Sequence, residues 1–435
     1  MSTSKLNAKE KRSLRSSSRL SVEAYFQSLT DAQKSTEWLE PSNRYRIDCT
    51  KRYSDDFKAK PRSVNHAALI DYISASAPAH VIDGWSILGR AVDATLRSDT
   101  HSAIHLAYYA ELRAAMAVLA SEGIGIFDRL HPRACKAKRT AAFSRQSTHR
   151  VIWPCLHYWA SCEASMTAID RAIRPGQISL DSWFTAFNIS APATAVTRRL
   201  FGSWGVDLKI LSDDRELRNL ASYRPSEFNL PPAISIDETL DFVVDLWACF
   251  EPAGAGRFSR LEKFLLRRVL LAAELNTAAV TPSALAAAGI PQGESGAWFA
   301  ALTTAPEPLL FREAMVQSEI NSPKCHLQVI ARASILLAVA TAAIRHELVT
   351  AGYTAAHLQF WWERIGRSRG LWDTAASPPV LTDAWADVRD RIDETAQWRS
   401  ANPGAPSMNR WRRAQTAAVE LLGAFELVAM WALMP

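Results

Sequence analysis

Four long stretches place apolar side chains three and four residues apart: 102–122, 259–275, 325–349 and 412–434. That spacing lays one apolar stripe along an α-helix, and alanine, the best helix former, fills much of it. Runs that alternate apolar and polar residues, as a half-buried strand requires, are few; 234–247 (ISIDETLDFVVDLW) is the ambiguous one. The chain is therefore expected to be mainly α. Ser102 is placed as the N-cap of the first stretch, with Gly123 and Gly125 stopping it. Pro and Gly collect near Pro132, Pro175, 225–232, 252–256, 291–296 and 403–406, which read as loops. A boundary at 251–257 (EPAGAGR) would divide a helical domain over 21–250 from a second helical domain over 257–435, with a flexible basic tail over 1–20.

The two most apolar segments, 333–344 and 427–435, fall short of the roughly 20 residues that a membrane helix needs. No apolar leader opens the chain, and six cysteines without a CxxC pair argue for a reducing compartment. A cytoplasmic protein with no membrane partner is expected. Cys155, His157 and Cys162 come nearest to ligand spacing, but they read as buried thiols and a half-exposed imidazole, so neither metal nor cofactor is expected. Fifteen tryptophans spread from Trp38 to Trp431 read as packing anchors. The Trp–Arg mixtures at 359–372 and 397–413 read as core aromatics with outward arginines rather than a base-stacking platform.

The net charge of +6 is modest for 435 residues, but it is unevenly placed. Residues 1–20 carry six cations against one Glu. Arg129, Arg133, Lys136, Lys138, Arg139, Arg145 and Arg150 then follow one another with no Asp or Glu up to Ser161. The rest of the chain is slightly acidic, so the positive charge is local and suits a phosphate backbone. Arg133, Lys136, Lys138, Arg139, Arg145 and Arg150 are the candidate nucleic-acid contacts, on what reads as a flexible basic loop. Phosphate-loop, dinucleotide-fold, zinc-protease and nucleophile-elbow motifs are all missing.

One short segment carries chemistry: SDDRELRNLASYRPSEFNLPP, residues 212–232. Asp213 and Glu216 are spaced as a capping box, Asp214 adds an acid near the helix start, Leu217, Leu220 and Ala221 supply a stripe, and Pro225 ends the helix. Arg218 and Asn219, followed after three intervening residues by Tyr223, resemble the signature of HEPN domains, in which an Arg and a polar residue precede a His by the same interval. The helix expected over 102–122, with the stretch Leu106–Ile126 running on from it, resembles the long first helix of that fold, and the likeness covers about residues 65–250.

The resemblance implies an N-terminal HEPN-like bundle and a homodimeric, metal-independent endoribonuclease of the kind found in bacterial antiviral defence and toxin systems. In that reading Arg218 holds the scissile phosphate, Asn219 fixes the geometry, and Tyr223 stands in for the His. A phenol titrates near 10, so Tyr223 can donate a proton but serves poorly as a base at neutral pH. His101, His105 and His149 are the imidazoles that could come within reach of Arg218. Arg150 and His157 match a looser form of the same pattern, but Pro154 lies between them and is expected to break a helix there. The rival expectation is a non-enzymatic scaffold or sensor subunit that recognises a protein partner.

Overall fold

Asn65 and Asp99 start the two helices at the centre of the molecule. The computed structural model describes residues 5–59, 63–189, 197–223, 234–254, 257–275, 277–319, 322–371, 381–404 and 407–435. The Asn65 side chain accepts from the Ala68 N–H at 3.1 Å and opens the helix His66–Leu96. Asp99 accepts from the Ser102 N–H at 3.0 Å and opens Thr100–Ser121, so the cap lies three residues before the Ser102 expected from sequence. Three residues join the two helices, which pack side by side as an antiparallel pair.

The helix Cys325–Thr350 packs against both. It is long and apolar enough to cross a membrane, with a mean hydropathy of 1.9, but 89% of its most apolar window is buried inside the protein. Small residues let these three helices approach. Ala103, Ala107, Ala110, Ala114 and Ala117 are all fully buried, and a Cβ on Gly84 would lie 2.4 Å from the Leu337 side chain.

One hydrophobic core runs from Leu6 to Leu433 and so crosses the boundary expected at 251–257. Phe250 stacks edge-on with Trp85 at 5.2 Å and with Phe425 at 5.5 Å. The Trp247 indole N–H donates to the Leu422 carbonyl at 3.0 Å, and that of Trp85 to the Thr341 hydroxyl at 2.8 Å. A smaller core forms around Trp183, Leu266, Leu285 and Trp298. Trp361, Trp362 and Trp411 are buried while Arg364, Arg367 and Arg369 are exposed, the packing pattern expected for those segments.

Several local expectations give way. Residues 131–144 form an antiparallel hairpin of two strands, His131–Cys135 and Arg139–Ser144, instead of a flexible loop. The basic N-terminal segment is helical over Ala8–Arg15, with an Asn7–Glu10 capping box, and Leu6 and Leu14 are buried in the core. Residues 1–4 lie outside the described residues. The ambiguous 234–247 is the helix Ile236–Cys249, started by a Ser235–Glu238 capping box. The helix Thr148–Ala160 continues through Pro154, and the 412–434 stretch is divided among Met408–Ala414, Thr416–Gly423 and Leu427–Ala432.

Gly205 takes a φ of +81°, and a Cβ there would lie 2.7 Å from the backbone of Ala314. Backbone cannot step aside as a flexible side chain can, and left-handed φ adds strain for any L-residue. Gly205→Ala is expected to destabilise the protein by about 2 kcal/mol or more, read as a lower urea midpoint at unchanged slope.

Candidate nucleic-acid site

The signature helix spans Leu208–Tyr223 and packs on Thr100–Ser121 and Thr148–Ala160. It starts five residues before Asp213, so Asp213 and Glu216 are helix-interior residues and not a capping box. Asp213 accepts from the Gln317 amide at 3.0 Å, and Glu216 pairs with Arg215 at 2.7 Å. The expected stop at Pro225, and the loop through Pro232, lie outside the described residues.

Arg218 points inward and is 5% exposed. Its guanidinium carbon lies 5.2 Å from the Tyr108 ring centroid and 5.3 Å from that of Tyr109. Desolvated cation–π contacts of this kind are worth about 2 kcal/mol or more. Nη2 reaches the His149 imidazole Nε2 at 3.4 Å, while Nε is buried without a partner. Among the described residues no carboxylate pairs with Arg218.

His149 sits in the first turn of Thr148–Ala160. Its Nδ1 is 3.0 Å from the Tyr108 hydroxyl, and its backbone carbonyl accepts from Arg215 at 3.2 Å. Burial first, then the charges of Arg218 and Arg215, hold its pKa below the usual histidine value, so the ring is neutral at pH 7. Because arginine only donates, Nε2 must be the acceptor, which places the proton on Nδ1, facing the Tyr108 oxygen. Burial and Arg218 likewise lower His105. The His105 ring is 4.9 Å from that of Tyr109, and its Nδ1 is 2.6 Å from the Ser222 hydroxyl.

Thus the structure gathers Arg218, His149 and His105 around the Tyr108–Tyr109 pair. It does not gather Tyr223, which closes the helix with its ring 77% exposed. Five residues along a helix turn a side chain by about 140°, so Arg218 and Tyr223 leave on nearly opposite faces. Asn219 is half-buried and hydrogen-bonds the Glu216 carboxylate rather than Arg218. His101 has a buried Nε2 without a partner.

The basic candidates divide in two. Lys136, Lys138 and Arg139 project from the hairpin turn, and Arg145 and Arg150 are exposed beside it. Arg133 instead holds the N-terminal segment, donating to the Ser13 hydroxyl and the Ser16 carbonyl, each at 2.7 Å. It is a structural tie, and this separates it from the other cations of the run. Arg150 follows His149 on the same helix and is exposed, while the Arg145 guanidinium lies 5.6 Å over the Phe57 ring.

One turn before Arg218, Asp214 is fully buried and takes a bidentate pair from Arg332, 2.7 Å from both Nε and Nη2. Arg332 Nη1 also donates to the carbonyls of Val316 at 2.8 Å and Ala314 at 3.3 Å. Fully buried Glu111 lies 4.0 Å from Arg332 Nε, with no donor facing either oxygen. Burial first, then the neighbouring Asp214, push its pKa well up, which favours the protonated carboxyl beside Asp214. This triad locks Thr100–Ser121, Leu208–Tyr223 and Cys325–Thr350 together and fixes the pitch at which Arg218 meets the two tyrosines.

No cluster of three or more His, Cys, Asp or Glu among the described residues could hold a metal ion. Cys155 is buried, with its thiol pushed well up by desolvation. Comparison of the chain with family models, curated proteins and solved structures gave no match.

Proposed function

We propose that the protein binds RNA through the exposed cations of the hairpin and cleaves it at the Arg218–His149 pair, as a HEPN-like endoribonuclease. The observation that carries this reading is a nearly buried guanidinium with no carboxylate partner among the described residues, beside a neutral imidazole. An unpaired buried cation is costly unless an anion visits it, and a neutral His beside an Arg is suited to phosphodiester chemistry.

In this reading the Arg218 guanidinium turns from His149 Nε2 to the RNA phosphate, and the freed Nε2 takes the proton of a ribose 2′-hydroxyl. The 2′-oxygen bonds to phosphorus, the bond to the 5′-oxygen breaks, that oxygen takes a proton from water, and the hydroxide so formed takes back the proton held by His149. Arg218 holds the charge that develops on the phosphoryl oxygens. The products are a 2′,3′-cyclic phosphate and a 5′-hydroxyl, and no redox partner is required. Antiviral defence is the biological setting that goes with the resemblance, and a homodimer is the assembly.

A second reading is favoured by the 5% exposure of Arg218. There the guanidinium is an internal strut, and the protein is a non-enzymatic subunit that meets a protein partner through its surface, where Tyr223 is displayed. Labelled RNA incubated with the protein in EDTA separates the two. Cleavage that survives the chelator and falls at least a hundredfold in Arg218→Ala, with unchanged thermal stability of the variant, supports the nuclease. RNA left intact by a folded wild-type protein overturns it in favour of the subunit.

A further inference from the structure

A cavity of about 340 Å³ opens on the far side of Cys325–Thr350, between its last turns, the start of Ser259–Ala272 and the end of Glu163–Ala172. Its ionisable lining is Arg171, Arg174, Arg257, Arg345, His346 and Glu262, four guanidiniums against one carboxylate. The floor is apolar, formed by Phe258, Leu261, Leu265 and Ala338.

The single carboxylate is already spent. Glu262 accepts from Arg257 at 3.2 and 2.9 Å and from the backbone N–H of Gly176 at 3.1 Å. Arg174 is braced by the Gln177 carbonyl at 3.2 and 3.1 Å. Arg171 leans on Glu23 at 3.7 Å. Arg345 donates its Nε to the Met434 carbonyl and has no carboxylate partner among the described residues. Among the described residues its two terminal nitrogens have no hydrogen-bond acceptor.

We infer that this cavity binds a small organic phosphate, a phosphomonoester with an apolar or aromatic body. Three features choose that class. The cationic excess exceeds what one carboxylate would neutralise but suits the −1.5 to −2 charge of a phosphomonoester. Guanidiniums held by backbone carbonyls present the bidentate fork that phosphate oxygens accept. The volume is near the lower end of small-molecule sites, and the leucine and phenylalanine floor excludes a bare hydrated ion as its best occupant. Neither the fold of this cavity nor its charge depends on the nuclease reading.

Calorimetric titration of the full chain with adenosine monophosphate tests it. Saturable binding is expected, at least tenfold weaker in Arg345→Met and weakened also in Arg174→Met, and unchanged in Arg218→Ala. Arg174 is exposed, so that second variant keeps the test valid should Arg345→Met fail to fold. Inorganic phosphate that binds as tightly as the nucleotide would overturn the organic body. Equal binding of 1-naphthoate would overturn the phosphate, and no saturable binding of any probe would overturn the site. Loss of nucleotide binding in Arg218→Ala, with Arg345→Met unaffected, would move the binding to the other site and overturn the assignment.

Discussion

Arg332→Met should cost about 3–5 kcal/mol of folding stability, the largest effect expected of any single substitution of a charged residue in this protein. Removal of the guanidinium leaves Asp214 fully buried, with its 2.7 Å bidentate partner gone and no other cation paired with it among the described residues. It also orphans the carbonyls of Ala314 and Val316. Asp214→Asn should be similarly severe, because it strands the Arg332 cation instead. Glu111→Gln is the informative contrast. Glu111 is held neutral by burial and by Asp214, so an amide of the same shape can donate to Asp214 in its place, and the change should stay within about 1 kcal/mol near pH 5.

The two proteins should then separate with pH. The folded-state pKa of Glu111 is raised, so the contribution of this group is fully present below the unfolded value, about 4.3, and is lost as pH rises towards the folded value. In that window the unfolded chain has released a proton that the folded protein keeps, and stability declines by about 1.4 kcal/mol per pH unit from this group. Glu347, raised to about 7 by burial despite its contact with Arg19, acts in the same direction between about pH 4.5 and 7. Chemical denaturation of wild type and Glu111→Gln from pH 4 to 8 reads the difference. The variant should gain on the wild type as pH rises, and parallel curves would show that Glu111 is ionised in the fold.

The helical character was legible because it is written locally. The stripe at 102–122 needs only its own alanines and leucines to declare a helix, and it lies where expected to within two residues at its start. What escaped is non-local. Asp214 and Arg332 are 118 positions apart, and His149 and Arg218 are 69 apart, so no spacing rule links either pair. Asp214 looked like a helix-start acid because nothing in the local pattern distinguishes an acid facing solvent from one facing a buried arginine. The hairpin escaped for a different reason. Its turn puts Ala137 and Lys138 at positive φ without glycine or asparagine, and its strands carry basic residues where β-branched ones would signal a sheet. The match of Tyr223 to the signature position was a matter of sequence interval. Helix geometry sends it away from Arg218, and the imidazole nearest to Arg218 comes from Thr148–Ala160, a helix whose internal proline argued against it.

That substitution of one imidazole for another yields the second large expectation. Under the proposed reaction His149→Gln should reduce RNA cleavage by about 10²–10⁴-fold, the usual worth of a positioned general base, while RNA binding changes only a few-fold. Glutamine can still accept from Arg218 and preserve the packing, but it cannot exchange a proton near neutrality. Tyr223→Phe should leave the rate within about twofold, since the ring is 77% exposed and faces away from the pair. The pH profile supplies the signature that a structural role would not move. In the proposed reaction the base form of His149 is the active one, and burial with Arg218 and Arg215 lowers its pKa, so wild-type cleavage should be level through neutral pH and fall only on acidification below about 6.5. In His149→Gln the residual rate should lose that acid limb. A limb that persists in the variant, or a wild-type break above 6.5, would assign the base elsewhere, with His105 the next imidazole to test because it too is lowered by burial and by the Arg218 charge.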